Sequence, residues 1–215
     1  MNRGMTPRQS PVSGVVLAAG SARRMNGDKL LLELGGRPIV RGVVEEVLAA
    51  DLLEVVVVVN AANQSAVRAA LRPLEAELVV NPRASEGMGA SIAVGATRVA
   101  AEAGALILVQ ADQPLVDTGM LRTLVREWQA GDGSFVASRF GSVVTTPVLF
   151  GRELFEELRE LSGDRGAREI LDRHRDRGRI ISFAEWRGAD VDTPDDYRRV
   201  RELWAAAAAG PAGGR

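Results

Sequence analysis

The 215-residue sequence contains no cysteine and a single histidine. The absence of cysteine excludes disulfides, thiolate nucleophiles, zinc–cysteine clusters and iron–sulfur sites. His174 stands in a charged segment that is typical of a solvated helix end, so a histidine-based active site is not predicted. A chain without cysteine suits a reducing compartment, and we expect a cytoplasmic protein.

The sequence also has little net charge and no long apolar run. A formal net charge of -1 argues against the broad basic face that dominates nucleic-acid binding, so any polyanion site must be local. The longest apolar runs, near residues 52–59 and 105–109, are far shorter than the roughly 18 residues of a spanning helix. Residues 1–11 lack the apolar core of a signal peptide. Neither a nucleic acid nor a membrane is expected as a partner.

The chain is expected to form one domain. Its 46% hydrophobic content can supply a substantial core, and no internal repeat or linker rich in Pro, Ser and Gly divides it. We place the domain at residues 12–204. The polar segment 1–11 and the Ala- and Gly-rich segment 205–215 are predicted to be flexible tails.

Short apolar runs alternate with helical patterns, which predicts an α/β fold. The unbroken run of valines at 55–59 is typical of a parallel sheet covered on both faces. Pro147 predicts an edge strand or the first residue of a strand, and the second half of the chain could add antiparallel strands to the sheet. We predict strands at 15–19, 55–60, 77–80, 105–110, 134–137 and 143–150, and helices at 38–50, 64–71, 90–102, 118–130, 153–161 and 165–173.

The segment 15–29 carries the clearest functional signal, a strand that runs into a turn of small residues followed by cations. Ala18, Ala19 and Gly20 let a ligand approach backbone N–H groups, while Arg24 and Lys29 can neutralise phosphate charge. The pattern fits neither G-x-x-x-x-G-K-[ST] nor G-x-G-x-x-G. The alternative is a strand followed by a solvated basic loop.

Ligands of open parallel sheets lie beyond the carboxyl ends of the strands, so the other loops at that edge are candidates for the same site. Segment 81–91 follows one strand and leads into a helix; Gly87 and Gly89 would let the backbone close on a base or ribose, and Ser91 can donate and accept hydrogen bonds. An ordinary loop with a helix cap remains the alternative.

Carboxylates mark two further places at this edge. Asp112 follows the strand 105–110 and is suited to Mg²⁺, which prefers hard oxygen ligands; the alternative is a cap or turn residue, although Thr118 is the better-placed cap for the next helix. Asp190 and Asp192 are two residues apart, on one side of an extended segment, and could complete the magnesium site. They could equally be exposed loop carboxylates.

Segment 162–168 has two interpretations. It begins a helix with a capping group, or it presents Arg165 and Arg168 to an anionic substrate.

Taken together and in order, these loops resemble those of molybdenum cofactor cytidylyltransferases. The opening L-A-A-G-S-A-R-R-M-N-G-D-K is similar to the family pattern L-A-A-G-x-S-x-R-M-G-x-x-K, with Ser21 and Gly27 each shifted by one place. Arg24 and Lys29 match. Further similarity lies at 86–91, 111–114, 146–150, 162–168 and 190–194, and the whole resemblance spans about residues 12–203.

This resemblance implies a three-layer, Rossmann-like nucleotidyltransferase fold of the glycosyltransferase-A type. The implied reaction transfers CMP from CTP to the terminal phosphate of the molybdopterin-bound molybdenum cofactor and releases pyrophosphate. Relatives that transfer GMP show Ala-Gly-Gly where this chain has Ala18-Ala19-Gly20, which favours CTP. A molybdenum hydroxylase, or its maturation chaperone, is the implied recipient.

The resemblance also implies roles for individual residues. Arg24, Lys29 and Asp112 would be catalytic, with Arg24 and Lys29 stabilising the leaving pyrophosphate, and Mg²⁺ would be bound by Asp112 with Asp190 or Asp192. The implied nucleotide-binding residues are Leu17, Ala18, Ala19, Gly20, Lys29, Asn81, Gly87, Gly89 and Ser91. Three alternatives stay open: GTP as donor, another phosphorylated acceptor, or a carrier of the pterin cofactor without catalysis.

Overall fold

The structure is a computed structural model that describes residues 10–20 and 28–209. The strands are β1 (Val12–Ala18), β2 (Glu33–Leu34), β3 (Arg37–Pro38), β4 (Val55–Val59), β5 (Glu77–Val80), β6 (Ala105–Gln110), β7 (Phe135–Phe140), β8 (Val143–Gly151) and β9 (Gly178–Phe183). The helices are α1 (Ile39–Leu48), α2 (Gln64–Leu71), α3 (Met88–Arg98), α4 (Thr118–Gln129), α5 (Phe155–Arg159), α6 (Arg168–Arg173) and α7 (Pro194–Ala208).

Seven strands form one sheet in the order β5-β4-β1-β6-β8-β7-β9. β5, β4, β1 and β6 are parallel, β8 is antiparallel to both of its neighbours, and β9 is parallel to β7. The prediction of an α/β fold with a mostly parallel sheet is therefore confirmed, and the antiparallel addition lies in the second half as expected.

The sheet is buried on both faces, as β4 demonstrates. Val55, Val57 and Val59 pack in one apolar cluster with residues of α1 and α4, while Val56 and Val58 pack in another with residues of α3, α5 and α6. Because side chains alternate across a strand, an unbroken apolar run is needed where helices cover both faces. The result is three layers, helix on sheet on helix.

Pro147 lies in an interior strand, so the prediction of an edge strand or strand start is wrong. β8 is hydrogen-bonded to both β6 and β7, and the register with β7 shifts between Ala137 and Ser138. The Ser138 hydroxyl donates to the Pro147 carbonyl at 2.8 Å. A local irregularity of this kind accommodates a residue that has no N–H to give to the ladder.

Other differences are local. The β2–β3 hairpin and β9 were not predicted, and Asp117 rather than Thr118 caps α4 by accepting from the Met120 N–H. His174 is not a solvated side chain, because its Nε2 lies 2.6 Å from a Glu157 carboxylate oxygen and only 19% of the side chain is exposed.

The ends of the predicted domain also need correction in detail. The Gly104 N–H donates to the Pro11 carbonyl at 2.8 Å, so the chain is already fixed to the fold before β1 begins. α7 continues to Ala208, which places residues 205–208 in a helix rather than in a tail. In the described part of the chain, no helix is both long and apolar enough to cross a membrane.

The loop after β4 supports the carboxyl end of β1. The Asn63 side-chain amide donates to the Ala18 carbonyl at 2.8 Å, and the Asn60 amide donates to the Ala19 carbonyl at 3.0 Å. Each asparagine also accepts a backbone N–H of the other through its side-chain oxygen. Asn63 and Ala18 are both buried, and so is the hydrogen bond between them.

We expect Asn63→Ala to lower the free energy of unfolding by roughly 1–3 kcal/mol, because it leaves the buried Ala18 carbonyl without its donor. Urea denaturation followed by circular dichroism measures this. Ser65→Ala, at an exposed position on α2, is the matched control and should change stability by less than about 0.5 kcal/mol. Equal stability of the two variants would contradict this role for Asn63.

Candidate active site

A cavity of about 440 Å³ opens at the carboxyl ends of β1 and β6. Its lining includes eight residues that the sequence marked for nucleotide or metal binding: Leu17, Ala18, Ala19, Gly20, Lys29, Gly87, Ser91 and Asp112. Four separate segments supply them, as expected where the loops of a parallel sheet converge. We call this space the nucleotide cavity.

Other predicted residues stand outside the lining of the nucleotide cavity, and Arg24 lies outside the described residues. Asn81 is buried and supports a lining residue, because its amide donates to the Ser91 hydroxyl at 3.0 Å. Gly89 is also buried, and its N–H donates to the Gly163 carbonyl at 2.9 Å. Asn81 and Gly89 therefore lie behind the lining of the nucleotide cavity, where they support it.

Lys29 joins two of the three predicted metal ligands. Its Nζ donates to Asp112 Oδ2 at 2.7 Å and to Asp192 Oδ1 at 2.6 Å. Lys29 is only 9% exposed, and it is the only lysine in a chain with 27 basic residues. Every other permanent side-chain cation is an arginine, so the compact ammonium stands where two carboxylates converge.

The ionisation of Lys29 reflects these contacts. Burial acts to lower the pKa of Lys29, but the charge of Asp112 and the hydrogen bonds to Asp112 and Asp192 outweigh it and raise the pKa above the ordinary lysine value. The ammonium form is therefore favoured at neutral pH.

Asp190 stays apart from this ion pair. Its side chain is exposed at the surface, yet partial desolvation raises its pKa, and the charges of Asp192 and Asp112 raise it further. Between Asp190 and Asp192, the buried Val191 N–H donates to the Asp112 carbonyl at 3.0 Å, which fixes this segment to the loop after β6.

The carboxylates at this site suit a divalent cation that also keeps water and substrate ligands. Asp112 Oδ1 is buried and has no hydrogen-bond partner among the described residues, so one carboxylate oxygen is left for another cation. Over residues 10–20 and 28–209, no cluster of three or more carboxylate, histidine or cysteine ligands is found. The prediction pairs Asp112 with Asp190 or Asp192, and Asp192 is the one that shares the Lys29 ammonium with Asp112.

Glycine is required in the wall formed by segment 84–91. Gly87 has φ +127°, and a Cβ there would lie 2.4 Å from the Gly163 carbonyl group. Segment 162–166 packs against this wall, and Asp164 lines the nucleotide cavity beside Glu86. Neither carboxylate was singled out in the sequence, although the segments that carry them, 81–91 and 162–168, were.

A chain of side-chain hydrogen bonds behind Asp112 was also missed. The Gln110 amide donates to the Thr146 hydroxyl at 2.9 Å, and that hydroxyl donates to Gln113 Oε1 at 2.7 Å. Gln113 is buried, so the chain ties the turn that carries Asp112 to β8. Its signal in the sequence was weak because it depends on the antiparallel pairing of β6 with β8.

Residues 14–178 match the family described as the MobA-like NTP transferase domain. Among curated relatives, the purine catabolism protein PucB of Bacillus subtilis is 32% identical over 87% of this chain and 95% of its own length. Nicotine blue oxidoreductase of Paenarthrobacter nicotinovorans is 31% identical over 88% of this chain and 96% of its own length. A probable molybdenum cofactor guanylyltransferase of Opitutus terrae is 28% identical over 94% of this chain and 100% of its own length.

Among solved structures, Rv0371c of Mycobacterium tuberculosis H37Rv superposes with a TM-score of 0.81 at 30% identity, over 90% of this chain and 98% of that chain. A second structure of that protein, a complex with manganese, gives a TM-score of 0.77 at the same identity over 90% and 99%. The relatives bear names of different activities, so they identify the family and the fold but no single substrate.

We expect Lys29 to titrate above the ordinary lysine pKa of about 10.4. Because the chain has one lysine, selectively [¹³Cε]lysine-labelled protein gives a single resonance whose pH titration reports this group alone. The ion pair stabilises the fold fully below the unfolded-state pKa, and this stabilisation is lost as the pH rises through the higher folded-state pKa.

Asp112→Asn should move the midpoint of this titration down, since it removes the charge that raises the pKa most. Asp195→Asn, which alters an exposed carboxylate of α7 paired with Arg198, should leave the midpoint in place. A wild-type midpoint at or below the ordinary lysine value would contradict the ion pair.

Proposed function

The chain belongs to the MobA-like NTP transferase family, and on this premise we propose that it transfers CMP from CTP to the terminal phosphate of a molybdopterin-type cofactor, releasing pyrophosphate. The observation that carries the proposal is the junction of Lys29 with Asp112 and Asp192, at a cavity that the small-residue end of β1 also lines. Such a junction places both signs of charge where a triphosphate would lie.

The chemistry needs little from a general base. An oxygen of the acceptor phosphate attacks the α-phosphorus of the nucleotide, a new P–O bond forms, and the bond to the β-phosphate oxygen breaks as pyrophosphate leaves. A phosphate monoester has a second pKa of about 6 and is largely ionised at neutral pH. This agrees with a site that contains no histidine or cysteine among its described lining residues.

Catalysis in this proposal comes from positioning and charge. Lys29 neutralises charge on the departing pyrophosphate together with Arg24, while Leu17, Ala18, Ala19 and Gly20 allow the phosphates to approach the backbone.

We assign the base and ribose of the nucleotide to the wall of the nucleotide cavity that segment 84–91 forms. Gly87 and Ser91 line it, and Asn81 and Gly89 hold it in place.

Mg²⁺ is the proposed cofactor. Asp112, with its unpartnered Oδ1, and Asp192 are the residues that would hold it, and Mg²⁺ is commonly bound by one or two carboxylates together with waters and substrate phosphates. When bound, it would neutralise charge on the nucleotide phosphates. Asp190, on the other side of Val191, is the alternative to Asp192 as the second carboxylate.

CTP is preferred because Ala19 stands in the position where relatives that transfer GMP have glycine. GTP is the second candidate, and the similarity to a probable molybdenum cofactor guanylyltransferase favours it. We further propose that the enzyme acts in the cytoplasm and that a molybdenum hydroxylase, or its maturation chaperone, receives the product. A carrier role without catalysis would use the same cavity but release no pyrophosphate.

We expect the purified protein to release pyrophosphate when CTP, Mg²⁺ and molybdenum cofactor are combined, and to release far less with GTP or with sugar phosphates as acceptors. A coupled pyrophosphate assay over this panel measures it. Preference for another acceptor would redefine the substrate, and preference for GTP would overturn the choice of base.

If the assay shows no turnover, nucleotide binding distinguishes an enzyme from a carrier. CTP with Mg²⁺ at 100 times its Kd should stabilise the fold by about 2.7 kcal/mol, which a thermal shift assay detects. Cofactor binding with neither nucleotide stabilisation nor pyrophosphate release would support the carrier and contradict the proposed function.

A further inference from the structure

A second cavity, here called the β8 cavity, adjoins the nucleotide cavity. Leu17, Met88 and Gln110 line both, so the two spaces share a boundary over the ends of β1 and β6. The β8 cavity has a volume of about 260 Å³, and Val148 of β8 and Leu171 of α6 belong to its largely apolar lining. It can therefore receive a ligand that reaches a reacting group in the first cavity.

One unpaired cation stands at this second cavity. Arg168 lines it and is exposed, and no hydrogen bond or ion pair joins its guanidinium to another of the described residues. Arg168 also lines a neighbouring cavity, together with Asp172 and Arg175. Asp172, one turn later on α6, is beyond ion-pair distance from it. An arginine without a protein partner beside an apolar surface is available to an anionic group.

Arg165, three residues earlier, provides the contrast. Its guanidinium donates to the Ser162 hydroxyl at 3.2 Å and lies 4.0 Å from a Glu169 carboxylate oxygen. It lines neither cavity. The two interpretations of segment 162–168 thus divide between its arginines: Arg165 has local partners, and Arg168 faces a binding space.

Both cavities have lining residues on β1 and β6, and the β8 cavity extends from these strands to β8. Gly20 follows β1, Asp112 follows β6, and the β8 cavity reaches the next strand, in the order β1-β6-β8. A nucleotide whose phosphates lie at Gly20 and Lys29 would therefore have its α-phosphorus near the end of β6. In-line attack requires the incoming oxygen to come from the side opposite the leaving group.

We propose that the β8 cavity binds the phosphorylated acceptor, with Arg168 contacting its phosphate and the apolar lining supporting the rest of the molecule. This inference rests on the proposed function, because it assumes that the reaction joins two phosphates. The acceptor oxygen forms the new bond to the α-phosphorus and pyrophosphate leaves on the β1 side; Arg168 takes no proton and reduces the repulsion between the two anions. An amphipathic phosphomonoester is the class of acceptor that this cavity fits.

The test is direct binding of molybdopterin, measured under anaerobic conditions by ultrafiltration and pterin fluorescence, so that it does not depend on turnover. Arg168→Gln should raise the Kd by about tenfold or more, and Arg168→Lys should restore part of the affinity. Arg165→Gln, the matched control in the same loop, should stay within about twofold of wild type. The thermal stabilisation by CTP should be the same in all variants.

The outcomes of this test separate the inference from the proposed function. A Kd for Arg168→Gln equal to that of wild type, or an equal effect of Arg165→Gln, would overturn the acceptor site even if pyrophosphate is released. Binding that depends on Arg168 in a protein that releases no pyrophosphate would support the site and contradict the transferase. Loss of CTP stabilisation in Arg168→Gln would move Arg168 to the donor side and overturn the inference.

Discussion

The ion pair of Lys29 with Asp112 and Asp192 is the contact on which the arrangement of the site depends. It joins residues that are 83 and 163 positions apart in the sequence, on segments that follow β1 and β6 and precede α7. The Asp192 segment is fixed at both ends, by the Val191 N–H on the Asp112 carbonyl and by the capping box of Thr193 and Asp196. Because three segments converge on one ammonium, the loops that would hold a nucleotide keep fixed positions relative to one another.

A lysine suits this junction better than an arginine. The ammonium is a compact charge with three donors, so it can contact two carboxylates at short range and still face the cavity, whereas a planar guanidinium is suited to bidentate contact with one carboxylate. Burial of a charge costs free energy unless partners compensate, and here two carboxylates do so. Asp112 keeps one buried oxygen free, which leaves the junction able to accept a second cation.

Much of the fold and of this site could be predicted because local signals were strong. The valines of β4 demanded a covered parallel sheet, and α2, β5 and β6 have the bounds that their sequence patterns indicated. The lining from Leu17 to Gly20, Gly87, Ser91 and Asp112 followed from strand ends and small residues. Asn81 and Gly89 were assigned to the ligand because a sequence cannot tell a lining residue from the one behind it. Pro147 and the Gln110–Thr146 contact depend on the pairing of β8 with β6 and β7, which no local pattern reports.

We expect Lys29 and Asp112 to act as one unit in nucleotidyl transfer, and a double-mutant cycle on kcat/KM for pyrophosphate release measures their coupling. Lys29→Met, Asp112→Asn and the double variant are compared with wild type after circular dichroism has established that each is folded. Residues that act as a unit are strongly non-additive, so the double variant should lose far less activity than the product of the two single losses. Fully multiplicative losses, or single variants with near wild-type activity, would contradict the account.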